Sequence, residues 1–378
     1  MSDHSPLKSN SERPLRKPVV FAKFLGKDIL DEQGRLLFSL LNAFATSGYS
    51  ILLFNSFPAE NLGKYALMAR SLPGLELTTT IPDQRAEMFY LFDREDREIG
   101  ERGWLKKIRV RFDIFSPFWL RRPVLMPFPV HPVHAGPDLR ERLTRFRSNT
   151  RNMRVFFSGE TSGYTSNRIT YPKAKLPRLE IVDTIRERMG ERVVFVQQQA
   201  VLDRLLSGGC VDKCVILDTS KLRIRDSDWL SVLGKADFFL APPGIVMPMC
   251  HNSVEALAVG TIPIINYPEW FDPGLEHMRN CVVFDDKQDL IAKLNSVFAM
   301  DASTIASMRD RAVAYYDSHL SNRSFTAAIE ARRERKIDVL MIMEEYVRKN
   351  AHRLNARSAL IRGSESARLL ERLGSWRS

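Results

Sequence analysis

The chain has 378 residues, of which 44% are apolar and 27% are charged, and its formal net charge is +11. This composition excludes a mainly disordered chain, and the length predicts two hydrophobic cores instead of one. No run approaches the roughly 18 apolar residues of a membrane span, and the polar residues 1–17 lack the apolar core of a secretory signal. We therefore predict a flexible leader at 1–17 and a cytoplasmic protein.

The first half of the chain alternates between strand and helix patterns. Residues 18–25 and 51–54 read as buried strands, and the helix between them, at 34–47, places apolar side chains at helical spacing. Such a unit implies parallel pairing with a right-handed crossover. A helix and three short strands should follow, at about 60–71, 75–80, 88–92 and 108–112. The prolines of 123–137 mark a crossing segment, and the charged stretch 138–151 contains the domain boundary.

The second half starts another array of strands and helices. Its strands are predicted at 153–159, 193–196, 214–218, 237–240, 262–265 and 281–284, and its helices at about 178–189, 229–236, 252–259 and 289–298. Two such arrays predict an α/β fold with two Rossmann-like domains, 18–145 and 146–320, facing a cleft. From about 302 onward the pattern is helical, so we predict C-terminal helices and a basic tail at 321–378. One apolar helix face there would comprise Ile337, Leu340, Ile342, Met343 and Tyr346.

The basic residues are concentrated in two runs. Residues 332–377 contain twelve Lys/Arg against six Asp/Glu, and a second run spans 102–122. Neither run is interleaved with the aromatic residues of a single-strand nucleic-acid groove, so we expect solvated surfaces and no nucleic-acid partner. The four cysteines, Cys210, Cys214, Cys250 and Cys281, have no second Cys or His pair at zinc spacing. We therefore predict buried thiols and no metal site.

The segment 235–265 carries the most informative pattern. A buried strand leads into a Pro-Pro-Gly loop that contains Pro243 and Gly244. After a short loop that ends at His251, a helix follows whose first turn carries Asn252, Ser253 and Glu255. Ligands of open α/β sheets bind beyond the carboxyl ends of the strands, where free helix N–H groups and the helix dipole favour phosphate. Ser253 and Glu255 would add a hydroxyl donor and a carboxylate acceptor, or alternatively they only cap the helix.

This segment resembles the donor site of GT-B glycosyltransferases. The strand with its Pro-x-Gly loop, followed by EALAVGTIP from Glu255 onward, is most similar to the exostosin-like family, and FFSG at 156–159 resembles the strand that opens that family's C-terminal domain. The likeness covers about 229–300. It implies a nucleotide-sugar donor as co-substrate, no further cofactor, and no metal. It also implies that Glu255 contacts ribose or sugar hydroxyls and that Ser253 and nearby amides contact phosphate.

The loop 245–250 departs from the family, which usually has a polar or basic residue there. Other groups must then neutralise the diphosphate. The candidates that follow the first strand of the second domain are Arg168, Lys173, Lys175 and Arg178. Gly159, at the end of that strand, is a further predicted donor-site residue. His251 is a further candidate, near the phosphates or the sugar.

The resemblance implies an acceptor site and a catalytic base in the first domain. An inverting transferase needs a carboxylate or a histidine beside the acceptor hydroxyl. The loop after the first strand offers Asp28, Asp31 and Glu32, and the proline-rich segment offers His131 and His134. We predict Asp28, because it follows the carboxyl end of the first strand, and His134 as an alternative.

The sequence leaves three functions open. The first is sugar transfer to a glycan or lipid-linked acceptor. The second is a related chemistry on the same scaffold, such as a nucleotide-sugar epimerase or a fucosyltransferase-like enzyme. The third is a basic scaffold protein that has lost donor affinity. The basic tail at 350–378 would either hold the protein on an anionic membrane or pack on the first domain.

Overall fold

The computed structural model describes five stretches of the chain: residues 17–99, 103–113, 123–160, 176–208 and 210–350. They form one sheet of seven strands and one of six, with parallel pairing throughout. The predicted α/β fold with two Rossmann-like domains is therefore confirmed. Within these stretches no helix is both long and apolar enough to cross a bilayer. Arg168, Lys173, Lys175 and the tail from 351 lie outside the described residues.

The first domain is built on the seven-stranded sheet. Its strands are β1 (Val19–Lys23), β2 (Ile51–Phe54), β3 (Leu75–Thr78), β4 (Met88–Phe92), β5 (Lys106–Arg111), β6 (Val124–Leu125) and β13 (Lys336–Leu340). They lie in the order β3-β2-β1-β4-β5-β13-β6. The helices of this domain are α1 (Asp31–Thr46), α2 (Lys64–Arg70), α10 (Asn322–Glu330) and α11 (Glu344–Asn350).

The second domain is built on the six-stranded sheet. Its strands are β7 (Met153–Gly159), β8 (Val193–Val196), β9 (Cys210–Asp218), β10 (Ala236–Leu240), β11 (Ile262–Ile265) and β12 (Val282–Val283), in the order β12-β11-β10-β7-β9-β8. The remaining helices are α3 (Leu139–Arg147), α4 (Arg178–Arg188), α5 (Gln199–Gly208), α6 (Asp226–Leu233), α7 (His251–Ala258), α8 (Lys287–Ala299) and α9 (Ala302–Tyr315).

Apolar runs explain the central position of β7 and β10 in the second sheet. Phe156 and Phe239 pack into the core on one face of the sheet, and Phe157 and Phe238 pack into the core on the other. A strand that is buried on both faces needs a continuous apolar run, which is why these strands were recognisable in the sequence. The four cysteines are free thiols, and only Cys250 is more than slightly exposed.

The prediction that the chain is all-helical after residue 302 is wrong at 336–340. This stretch forms β13, which inserts between β5 and β6 in the first sheet. Ile337 and Val339 lie two residues apart and both pack into the core beneath α1. Their β-branched side chains and this period of two favour a strand once neighbouring strands pair on both sides. The apolar residues that suggested a helix face belong to β13 and to the segment after it.

The chain crosses between the two domains twice. The first crossing follows the edge strand β6, where the prolines of 127–137 lead to α3, as the sequence predicts for this segment. The second crossing is a π-helical turn, Tyr316–Leu320, between α9 and α10. Phe325 of α10 then packs edge-to-face on Phe44 of α1, with the ring centroids 6.2 Å apart. The limits of the two domains, 18–145 and 146–320, remain predictions.

Candidate active site in the interdomain cleft

A cavity of about 700 Å³ lies where the carboxyl ends of the two parallel sheets face each other. On the side of the second domain it is lined by the end of β7, the first residue of α4 and the beginnings of α6 and α7. On the side of the first domain it is lined by the beginning of α1, the proline-rich crossing and α11. This is the position at which open α/β sheets bind their ligands.

Helix α7 presents its amino end to the cavity. Cys250, His251 and Asn252 line the cavity, and no residue that the structure describes caps this end of the helix with its side chain. Its first N–H groups and the positive end of its dipole are therefore available to an anion. Across the loop, Gly244 approaches the carbonyl oxygen of Met247 so closely that an added Cβ would lie 2.6 Å from it. This crowding requires glycine and holds the loop that precedes the helix.

Two arginines occupy the opposite end of α7. Arg147 Nε donates to the carbonyl of Ala258 at 2.8 Å, and Arg151 Nη2 donates to the carbonyl of Val259 at 2.7 Å. Cations at a helix carboxyl end complement its dipole and satisfy carbonyls that have no partner inside the helix. The helix is thus fixed by cations at its far end, and its amino end is left for a ligand.

Three of the predicted donor-site residues meet at the end of β7. Gly159 is the last residue of this strand, and Arg178 is the first residue of α4. Arg178 Nη1 donates to the carbonyl of Glu160 at 3.0 Å, and a Cβ on Gly159 would lie 3.3 Å from this nitrogen. Asn252 Nδ2 donates to the carbonyl of Ser158 at 3.2 Å. Together these contacts place a guanidinium beside the uncapped end of α7.

Glu255 is buried and accepts hydrogen bonds from two protein groups. The backbone N–H of His131 donates to Oε1 at 3.0 Å, and the indole Nε1 of Trp229 donates to Oε2 at 2.6 Å. Burial raises the pKa of Glu255 to about 7, although both hydrogen bonds act to lower it. Since His131 belongs to the crossing from the first domain, the carboxyl group links the two walls of the cleft. Its contact with a ribose remains a prediction.

The structure does not bring three of the predicted residues to the cavity. Ser253 is fully buried, and its hydroxyl donates to the carbonyl of Cys250 at 2.8 Å, so it stabilises the first turn of α7. Pro243 precedes the lining residues of the loop and does not line the cavity. Asp28 lies in a short 3-10 turn after β1, where it is half-exposed and 3.7 Å from Arg94.

His251 is held in one tautomer by two neighbours. Its Nδ1 lies 2.7 Å from the carbonyl oxygen of Pro129, and its Nε2 lies 2.5 Å from Nη1 of Arg35. A carbonyl can only accept and a guanidinium can only donate, so Nδ1 carries the proton and Nε2 the lone pair. Burial, followed by the charge of Arg35, lowers the pKa of His251 well below its usual 6.5. The ring is therefore neutral at pH 7.

His134 differs from the other histidines of the cleft. It lines the cavity, and its ring makes no hydrogen bond with any of the residues that the structure describes. Burial, with a smaller contribution from His131, lowers its pKa to about 4. The ring of His131, by contrast, lies 3.3 Å from the hydroxyl of Tyr65 through Nε2. His134 thus presents a neutral imidazole that can accept a hydrogen bond or a proton from a ligand in the cavity.

Arg35 is a cleft residue that sequence reasoning missed. It follows three consecutive residues with positive φ, namely Glu32 at 54°, Gln33 at 61° and Gly34 at 83°. Its guanidinium pairs with Glu32 and lies 2.7 Å from Glu344 of α11. Burial raises the pKa of Glu32, while Arg35 lowers it. One feature of the sequence could have identified Arg35. It lies in the segment after the first strand of the domain, where we predicted only acidic side chains as site residues.

Asp226, Trp229 and Glu344 also line the cavity and were not predicted. Asp226 and Trp229 belong to α6. Trp229 is the first residue of the likeness at 229–300 and Asp226 lies just before it, so both could have been found at the start of that segment. Glu344 follows β13 and was missed because that strand was missed. Among the described residues no cluster of three or more His, Cys, Asp or Glu side chains could hold a metal ion.

No protein-family model and no curated protein sequence matches the chain. Solved structures to which it is similar include a glycosyltransferase from Rickettsia africae, at 8% identity over 84% of this chain and 98% of the other, with a TM-score of 0.43. Anabaena Alr3699/HepE in complex with UDP and glucose is similar at 12% identity over 83% of this chain and 98% of the other, with a TM-score of 0.38. An O-GlcNAc transferase mutant from Thermobaculum terrenum is similar at 13% identity over 89% and 69%, with a TM-score of 0.39. At TM-scores below 0.5 we draw no functional conclusion from these likenesses.

Proposed function

We propose that this chain is a glycosyltransferase that moves a sugar from a nucleotide-sugar donor to a hydroxyl group of a glycan or lipid-linked acceptor. The observation that supports the proposal most directly is the uncapped amino end of α7, which opens on the cavity beside Arg178. The positive end of a helix dipole and a guanidinium on one wall can bind a diphosphate. In sugar transfer the diphosphate is the leaving group and gains negative charge as its bond to the sugar breaks.

The donor diphosphate would lie against the second domain. The N–H groups at the start of α7 and the guanidinium of Arg178 would neutralise the charge that develops on the leaving group. Arg35 approaches the same helix end from the first domain through its contact with His251. With these groups in place, the proposed transfer proceeds without a metal ion.

The acceptor would enter from the first domain, beside His134. In the proposed step the acceptor oxygen attacks the anomeric carbon, the bond from this carbon to the diphosphate oxygen breaks, and the acceptor proton passes to His134. A single displacement of this kind inverts the configuration at the anomeric carbon. The low pKa of His134 keeps its ring neutral before the reaction, and the charge of a bound diphosphate would raise its proton affinity.

The donor site is tested by thermal unfolding of the full chain with a panel of nucleoside diphosphates and nucleotide sugars. A ligand at roughly a hundredfold excess over its dissociation constant should stabilise the wild type by about 3 kcal/mol. Arg178→Met should weaken binding about tenfold, because one charge-assisted contact with phosphate is lost. Arg188→Met is the matched control, since Arg188 is the exposed last residue of the same helix.

Stabilisation by one nucleotide that persists in Arg188→Met and weakens in Arg178→Met would identify the base of the donor and support a transferase. Transfer to an acceptor is then measured with that donor. If no nucleotide raises the unfolding temperature, the proposal is wrong and a scaffold role is favoured.

A further inference from the structure

The two basic runs of the sequence meet in the first sheet. Strand β5 belongs to one run and β13 to the start of the other, and the two strands pair in parallel. Their register places Lys336 opposite Lys107 and Asp338 opposite Arg109. Charges that are more than two hundred residues apart along the chain are thus neighbours on one face of the sheet.

A second cavity, of about 240 Å³, lies over this face. Its charged lining comprises four cations, Lys107, Arg109, Arg332 and Lys336, and three carboxylates, Glu95, Glu334 and Asp338. Among the described parts of the chain, the cavity shares no lining residue with the cleft. It is therefore a separate site, and it is large enough for a phosphate group with a small substituent.

Three carboxylates against four cations leave the lining of this cavity with one net positive charge. Glu95 lies 3.1 Å from the ammonium of Lys107, and Asp338 lies 3.5 Å from Arg111, which does not line the cavity. Arg109, in contrast, makes no ion pair or hydrogen bond with any residue that the structure describes. One guanidinium therefore lines the cavity with its donors available.

Lys107 adds a buried ammonium beside Arg109, and Glu95 offsets part of its charge. Its side chain is only 5% exposed, and its ammonium lies 5.0 Å from the centroid of the Phe92 ring. A charge that is shielded from water in this way acts on a neighbouring anion through a lower effective dielectric constant than a surface charge does. A buried ammonium beside an available guanidinium is the combination that holds a phosphate, with one point charge and one planar fork.

We propose that this cavity is a second ligand site, which binds a phosphate monoester group. The group comes either from the headgroup of an anionic lipid or from a soluble phosphate ester. The exposed loop before β13 contributes Arg333 and Arg335 on either side of Glu334, and these two arginines add positive charge at the surface of the first domain next to the cavity. The site is independent of sugar transfer and binds its ligand whether or not the cleft is occupied.

Inorganic phosphate is the first probe, and its binding to the full chain is measured by calorimetry at low ionic strength. Arg109→Met should weaken phosphate binding at this site about tenfold, because it removes the available guanidinium. Arg140→Met is the matched control, since Arg140 is an exposed arginine of α3 that does not line the cavity. Arg109→Lys retains the charge and should recover most of the affinity.

Phosphate can also bind in the cleft, so the same titration is repeated with Arg178→Met. Binding that survives Arg178→Met and is lost in Arg109→Met belongs to the second cavity, whatever the outcome for the donor site. Equal binding by wild type, Arg109→Met and Arg140→Met would overturn the proposal.

The source of the phosphate group is decided with vesicles of phosphatidylcholine and phosphatidic acid in equal amounts. Sedimentation of wild type and Arg140→Met with these vesicles, but not of Arg109→Met, identifies a lipid headgroup. Phosphate binding without sedimentation identifies a soluble phosphate ester. Either result supports the site, provided that the dependence on Arg109 is observed.

Discussion

The two walls of the cleft are built in different ways. On the second domain the wall consists of strand ends, a tight loop and the amino end of α7, and most of its described groups come from 158–160, Arg178 and 244–255. On the first domain the wall consists of side chains from the beginning of α1, the proline-rich crossing and α11. A wall that is formed by the backbone of a few continuous segments can be recognised from a pattern in the sequence. A wall made of side chains from distant segments cannot.

The largest loss of stability is expected where the two walls meet. Glu255→Ala should lower the free energy of unfolding by about 4 kcal/mol, because it opens a small cavity and leaves the N–H groups of His131 and Trp229 without acceptors. Urea denaturation measures this loss. The exposed Glu187→Ala should change the value by less than about 0.5 kcal/mol. A loss below about 1 kcal/mol would mean that Glu255 does not tie the walls together.

Removing the central charge of the first-domain wall should have the next largest effect. Arg35→Met leaves Glu32 and Glu344 without their cation, and Glu32 is largely buried. We expect a loss of about 3 kcal/mol in the free energy of unfolding. If the donor lies on the second domain as proposed, nucleotide binding should fall less than the rate of transfer. Equal losses in both would show that the two walls do not divide these tasks.

The pH dependence of stability separates Glu255 from the histidines. Its pKa rises from the usual 4.5 to about 7 on folding, so between these values the native protein holds a proton that the unfolded chain releases. The free energy of unfolding therefore falls as the pH rises through this window. The wild type should lose on the order of 2 to 3 kcal/mol relative to Glu255→Gln between pH 4.5 and pH 7.5. The histidines, with their lowered pKa values, make the free energy of unfolding rise with pH. Because they do so in both proteins, their contribution cancels in the difference between the wild type and Glu255→Gln.

If the free energy of unfolding changes with pH in the same way in the wild type and in Glu255→Gln, the pKa of Glu255 is not raised.

The smallest loss of stability is expected for a substitution of His134 in the first-domain wall. His134→Gln should change the free energy of unfolding at pH 7 by less than about 1 kcal/mol, because the ring has no hydrogen bond to lose among the described residues. Nucleotide binding should be unchanged. If His134 is the base, transfer should fall about a hundredfold. An unchanged rate of transfer would leave the base to be sought at Asp226 or Glu344.

The fold was predictable because its central strands are continuous apolar runs. The ends of β2, β7, β8 and β11 agree with the sequence prediction, and β10 begins one residue earlier. Strand β13 was not predicted, because the apolar residues Ile337, Leu340, Ile342 and Met343 have a spacing that also fits a helix. Its identity as a strand depends on β5 and β6, which lie far away in the chain.

The candidate site was predictable only in part, for the same reason. His251, Asn252 and Gly244 could be placed at the cleft because a strand, a loop and a helix follow each other directly around them. Arg35 could not, because its position is defined by His251 and Glu344, which are distant along the chain. The hydrogen bond between Glu255 and Trp229 likewise depends on the packing of Trp229 against Phe156 of β7 and Phe239 of β10. Tertiary contacts of this kind have no local period in a sequence.

The arginine behind α7 has a mechanical consequence. Arg147 belongs to the first crossing between the domains, and its two Nη atoms bind Asp317 of the second crossing at 2.8 and 2.9 Å while its Nε holds the carbonyl of Ala258. Both connecting segments are therefore fastened to one point at the rear of the ligand-facing helix. A rotation that opens or closes the cleft would turn about this point as a hinge, and the helix would stay in place as the mouth widens. Small-angle scattering should then detect a broader range of molecular dimensions in Arg147→Met than in the wild type, and an unchanged range would argue against such a pivot.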